Sequence, residues 1–203
     1  MLWWYAKCLH DNNLKDHYIL PSTGYDFQLR YVPYKEMSTI IEIVKKQFPK
    51  ANILPHHSYD FMSDPRIDQH KSKIIREKRF KDLIDTNKIE IYINATTESP
   101  PIEDGDFGGI TRNRNNEIFI SDNISKNSAL KNVNKKFLEY QYKKYNLMNS
   151  LYPLTHSCIN PDYYGNPCKY CDWCREKYWA FGMYDRKQQK SDNYFAERVL
   201  KYA

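Results

Sequence analysis

His17-Tyr18-Ile19-Leu20-Pro21-Ser22-Thr23-Gly24, then Lys35 to Phe48, then Ala51-Asn52-Ile53-Leu54-Pro55, are the stretches that decide the fold class. The first is a short strand, His17 to Leu20, closed by the turn formers Pro21 to Gly24. Between Lys35 and Phe48, the residues Met37, Ile40, Ile41, Val44 and Phe48 recur on one helical face, and Pro49 stops the helix. Ala51 to Pro55 repeats the strand signal. Further along, Asp68 to Asp85 predicts a second helix and Ile89-Glu90-Ile91-Tyr92-Ile93 a third strand. Strands alternating with helices at short connections predict an α/β fold, a parallel sheet with helices on both faces. Parallel neighbours need a crossover, and a crossover helix has to bury its apolar stripe on the sheet.

Toward the N-terminus, Leu2, Tyr5, Ala6 and Leu9 recur at helical spacing up to the turn formers Asp11-Asn12-Asn13, so the text opens inside a helix with no N-cap residue before it. Cys8, beside Leu9, reads as a buried small hydrophobe. Toward the C-terminus, Asn94 to Ile110 is aperiodic and rich in Thr, Pro, Gly and acidic residues. It leaves the carboxyl end of a strand, where ligands sit in such sheets, and an ordinary surface loop is the competing reading. Glu117 to Ser121 predicts another short strand, and Asn134 to Tyr145 a helix with Phe137, Leu138 and Tyr142 on one face. A cysteine segment and a helix-like tail follow. The division expected is a nucleotide-binding-type α/β unit over 1–150, and a zinc-binding segment with a C-terminal helix over 151–203, packed on the same domain.

Composition narrows the class. At 203 residues, with 41% hydrophobic and 28% charged residues and 18 tyrosines, the chain is long and apolar enough to bury a core. No apolar run approaches the roughly 20 residues that span a bilayer, and Met1-Leu2-Trp3-Trp4-Tyr5 is not a signal peptide, so a cytoplasmic protein without a membrane partner is expected. The net charge of +6 is spread along the chain with no accompanying nucleic-acid-binding motif, and it reads as a solvated basic surface.

The most specific feature is Thr155-His156-Ser157-Cys158 through Pro167-Cys168-Lys169-Tyr170-Cys171-Asp172-Trp173-Cys174, with spacing Cys-x9-Cys-x2-Cys-x2-Cys. Two residues between thiolates let a tight turn aim both sulfurs at one ion about 2.3 Å away, and nine residues let the first cysteine loop back to complete a tetrahedron. Four thiolates close the shell and leave no position for water, which is the pattern of structural Zn2+ rather than catalytic Zn2+. An iron–sulfur cluster is the alternative, although the usual continuation with a fourth cysteine three residues on, followed by Pro, is missing. His156 is a neighbour of the set rather than a ligand. His56-His57, at the end of a strand, is a weaker candidate for touching substrate or metal.

In order and spacing, the run from Asn134 to Arg175 resembles the C-terminal part of the 7-cyano-7-deazaguanine synthase family. The shared features are Asn134-Lys135 before a helix, Thr155-His156-Ser157-Cys158, a short loop, and Cys168 with its two further cysteines and Arg175. Asn134 stands where the family has Asp, Lys169 where it has Gly, and Arg175 follows the last cysteine directly. Upstream, Asn94-Ala95-Thr96-Thr97-Glu98 and Gly105-Asp106-Phe107 look like the loop in which the family binds its deazapurine, which implies Thr97, Glu98, Asp106 and Phe107 as substrate-binding residues.

The resemblance implies an adenine-nucleotide alpha-hydrolase-like sheet of the pyrophosphatase-loop class. It also implies ATP-dependent conversion of 7-carboxy-7-deazaguanine and ammonia to the nitrile, with ATP and Mg2+ held by a phosphate loop, in a homodimer. Another enzyme of that class, such as a tRNA-thiolating one, and a non-catalytic zinc-bearing binding module are the alternatives. The class supplies its pyrophosphate site with a Ser-Gly-Gly-x-Asp-Ser loop after the first strand. These 203 residues contain no such loop; there are only six glycines, and the one pair, Gly108-Gly109, lies elsewhere. Met1-Leu2-Trp3-Trp4 looks like the helix that follows the loop, so a fragment or a relic without ATP turnover is expected.

Overall fold

Trp3, Ala6 and Leu9, spaced three apart, form the buried stripe of the first helix, α1 (Leu2–Asp11), in this computed structural model. The structure describes residues 1–25, 34–60, 74, 78, 81–93, 97–101, 125–127, 130–158 and 166–186. The stripe is rotated from the expected one, with Trp3 rather than Tyr5 facing inward. Trp3 explains the rotation, because it has the most apolar surface to bury and its Nε1 donates to Gln47 Oε1 at 2.7 Å. The same rotation turns Cys8 outward, and the thiol expected to be buried is exposed. The Asn12 side-chain amide donates to the Cys8 carbonyl at 2.9 Å and reaches its Sγ at 3.7 Å.

The strands and their crossover form as the sequence predicts, with one difference. Tyr18–Ile19 (β1) and Asn52–Ile53 (β3) pair in parallel through α2 (Tyr34–Gln47), which carries Ile41 and Val44 buried inside and ends just before Phe48-Pro49. The segment read as a closing turn is instead extended. Ser22–Tyr25 (β2) pairs in parallel with His57–Asp60 (β4), Ser22 opposite His57. Between Ile19↔Ile53 and Ser22↔His57 the second strand holds one residue more than the first, which is a bulge at Pro55. Neither Pro21 nor Pro55 has an N–H, so the ladder crosses this gap on Leu54 N–H to Ile19 O and His57 N–H to Pro21 O, both 2.9 Å. A turn signal is overridden because the partner strand offers backbone bonds past the proline.

Residues 74, 78 and 81–87 are helical (α3), with Leu83 and Ile84 buried, and Ile91–Ile93 (β5) pairs in parallel with Ser125–Asn127 (β6). Among the described residues the strands therefore pair two by two rather than in one continuous sheet. The expected strand Glu117 to Ser121 lies outside the described residues. The core gathers Trp3, Ala6, Leu9, Val44, Phe48, Ala51, Leu147 and Leu151, so it draws on both sides of position 150.

The helix α4 (Lys135–Lys144) is capped by Asn134, whose side chain accepts the Lys136 N–H at 3.0 Å. None of its residues is fully buried, and Phe137, expected on its inner face, is exposed beside Trp4 with ring centroids 6.5 Å apart. It docks through long side chains onto the last helix, α5 (Asp172–Phe181). Lys135 pairs with Glu176 at 3.4 Å, Lys136 Nζ lies 4.4 Å over Trp179, and Tyr142 packs edge-on against Phe181 at 5.9 Å. No described helix is long and apolar enough to cross a membrane.

Candidate metal centre

Cys168-Lys169-Tyr170-Cys171 folds into a tight turn because Lys169 takes the left-handed conformation, φ 68°. That bends the backbone so that the Cys171 N–H points at the Cys168 Sγ, 3.4 Å away. The turn feeds directly into α5, which starts inside the cysteine segment rather than after it; Cys171 is its N-cap residue and Cys174 lies in its first turn. The positive end of the helix dipole therefore faces the thiolates. Cys158 arrives from the other side, and its Sγ accepts the Cys168 N–H at 3.3 Å.

The four sulfurs all lie within 4.8 Å of one another, and Cys168 and Cys174 are 3.9 Å apart. A tetrahedral ion with metal–sulfur bonds of about 2.3 Å requires sulfur–sulfur edges of about 3.8 Å. The set fits one such ion, and zinc suits four thiolates. Cys158 and Cys174 are buried, while Cys168 and Cys171 are partly exposed. Burial disfavours the Cys168 thiolate, but N–H donors from Cys171 and Tyr170, together with the Cys171 and Cys158 thiols, outweigh it and lower its pKa to about 7. Burial pushes the Cys174 thiol up, and neighbouring Cys158 and Cys171 add to the rise.

The loop bearing Cys158 is held by two charged side chains that sequence reasoning missed. Asp185 Oδ2 accepts the N–H groups of Ser157 at 2.6 Å and Cys158 at 2.8 Å. Asp185 Oδ1 meets Lys177 Nζ, which also donates to the Thr155 carbonyl at 2.8 Å and hydroxyl at 3.2 Å. Lys177 is only 3% exposed and Asp185 8%. Desolvation lowers the Lys177 pKa, and the charge of Asp185 opposes that shift. The one signal in the sequence is spacing, since Lys177 follows Cys174 by three residues and so shares its helical face.

The other sequence candidates separate from this centre. His156 Nε2 lies 3.8 Å from Glu36 Oε1 on α2, and burial lowers its pKa, so it faces α2 and is not one of the grouped ligands. His57 opens β4 and His56 precedes it; neither belongs to a metal-ligating group among the described residues. Thr97 is buried and Glu98 exposed, and the Glu98 N–H donates to the Val133 carbonyl at 2.9 Å. The segment after β5 thus abuts the residues that cap α4. Asp106 and Phe107 lie outside the described residues. A groove of about 450 Å³, lined by Tyr18, Lys45, Phe48 and Ile53 among others, includes none of these candidates. The chain matches no family model, no curated protein and no solved structure.

Proposed function

We propose that Cys158, Cys168, Cys171 and Cys174 hold one structural zinc ion in a homologue of the 7-cyano-7-deazaguanine synthases. The single observation that carries the metal half of this reading is the sulfur cluster, whose edges suit one tetrahedral ion. A multi-iron cluster interposes several iron atoms between its thiolates and needs them farther apart, which favours zinc. The synthase half rests on the resemblance, and two geometric features support it. The left-handed residue of the cysteine turn, Lys169, stands where the family has Gly, the residue that adopts this conformation without strain. The Thr97-Glu98 segment, which the resemblance assigns to deazapurine binding, is hydrogen-bonded to the residue before the Asn134 cap. The parallel pairs around α2 are then part of an adenine-nucleotide-binding sheet.

In this reading a carboxylate, a poor electrophile, is activated by ATP, and ammonia displaces AMP to give an amide that a second activation dehydrates. Nothing in these 203 residues offers the glycine-rich pyrophosphate loop, so the chain by itself contributes the zinc-stabilised part and does not turn over ATP. That absence favours a second reading, a non-catalytic zinc-bearing binding module. Titrating the zinc-loaded chain with 7-carboxy-7-deazaguanine separates the two. Saturable binding that Glu98→Ala weakens supports the synthase lineage; no binding leaves the zinc module. Robust ATP-dependent nitrile formation by the 203 residues alone would refute the expected loss of turnover.

A further inference from the structure

We propose that Asp185 and Lys177 form a positioning clamp that presents Cys158 to the metal, which makes them determinants of metal affinity although neither touches the ion. This rests on the four-thiolate reading of the centre and deepens it.

Three of the four ligands are local to each other. Cys168, Cys171 and Cys174 sit on one turn and the first turn of α5, so the backbone of one short unit carries all three sulfurs. Cys158 is ten residues upstream of Cys168 and outside that unit, which reaches it through the Cys168 N–H donated to its Sγ at 3.3 Å. Its position depends on what the loop 155–158 is fastened to. The fastening is Asp185, just beyond the end of α5, whose one carboxylate oxygen takes two consecutive backbone N–H groups, Ser157 and Cys158. The second oxygen is held by Lys177 on α5, and Lys177 also binds both oxygens of Thr155. Residues 155, 157 and 158 are thereby hung on the helix that carries Cys174.

The choice of charged residues follows from burial. Neutral partners would leave this many buried backbone groups weakly satisfied, whereas charge-assisted bonds are shorter and about twice as strong. A buried carboxylate without a cation would be expensive, and Lys177 supplies it. The pair costs desolvation, so its presence at a ligand-bearing loop points to orientation of that ligand rather than to general stability.

The test compares the full chain with Asp185→Asn and Lys177→Met. The wild-type chain should take up one cobalt with the intense sulfur-to-metal band of four thiolates. In Asp185→Asn, zinc affinity measured by chelator competition should fall about 10–100-fold, the usual cost of removing an orienting partner. The cobalt band should lose roughly a quarter of its intensity as one of four thiolates drops away. Lys177→Met leaves the Asp185 carboxylate buried without its cation and removes both bonds to Thr155, so it should lose zinc affinity as well. In the unmutated chain, the amides of Ser157 and Cys158 should exchange hydrogen as slowly as that of Arg175 inside α5. Unchanged affinity and spectrum in a folded Asp185→Asn, or exchange of those two amides at the rate of an open loop, would overturn the clamp. A wild-type chain that takes up neither zinc nor cobalt refutes the zinc reading instead, and slow exchange at Ser157 and Cys158 would then still support the fastening by Asp185.

Discussion

Around Val44 and around Cys174 the chain uses two different ways of making an interior. The first region packs Trp3, Ala6, Leu9, Phe48, Ala51, Leu147 and Leu151 against one another, with Trp3 in contact with Phe48 and Tyr145 at centroid distances of 5.2 and 4.7 Å. The second buries Glu176, Lys177 and Asp185 together with two cysteines. Apolar burial is non-directional and tolerates adjustment, so the first region has many partners for each side chain. Buried charges and thiolates are costly unless each finds its partner, so the second depends on a few specific contacts. Losing one side chain should weaken the first region locally, whereas losing the metal should dissolve the second.

The largest expected effect tests that contrast directly. Stripping the metal, or Cys171→Ser, should remove on the order of 10 kcal/mol from the segment around α5, comparable with the whole stability of a domain. Hydrogen exchange should show α5 losing protection while α1 and α2 keep theirs. A metal-free chain with α5 still protected, or metal analysis finding iron and sulfide, would erase the distinction.

Trp3→Ala should act on the other side. It should cost about 3–5 kcal/mol, for lost burial and a cavity between α1, α2 and Tyr145, in denaturant unfolding of the zinc-loaded chain. Zinc affinity should stay at the wild-type value; a large drop would mean the two regions are one cooperative unit.

A smaller effect concerns pH. Bound thiols are deprotonated, so their loaded pKa lies below the free value, and the stability they confer is present at higher pH and lost as pH falls. Burial keeps the Cys174 proton on in the metal-free site near neutrality, so binding must release it. Apparent zinc affinity should drop at least tenfold per unit of falling pH near neutrality, tenfold for each thiol proton that binding displaces. The fall should steepen below the Cys168 value of about 7, where that thiol also binds a proton. Calorimetry in buffers of different ionisation enthalpy would count the protons, and a count of zero would contradict the assignment.

The smallest effect sharpens the picture of the cysteine turn. Lys169 at φ 68° carries the strain of a non-glycine residue in the left-handed region. Lys169→Gly should raise the stability of the loaded chain by about 0.5–1 kcal/mol, the relief exceeding the extra freedom glycine gives the unfolded chain. A destabilised variant would mean that the Lys169 side chain, which lies 5.7 Å over the Tyr184 ring, contributes more than its backbone costs.

The sequence by itself determined the features whose physics is local. The Cys-x2-Cys-x2-Cys spacing specifies a turn that converges sulfurs, and the apolar stripe of α2 with Pro49 after it specifies a helix and its end. Asn134 is placed at the start of its helix by the sequence, and the cap bond the structure adds is only two residues away. Only the tertiary structure decided the rest. Pro21 to Gly24 reads as a turn until β4 supplies the ladder, and Cys8 reads as buried until Trp3 takes the inward face. Lys177 and Asp185 read as surface charges because residue type alone predicts exposure. What buries them is their meeting, across a turn past the end of α5 and with a loop some twenty residues upstream, and no local pattern encodes a contact that exists only once the chain has closed.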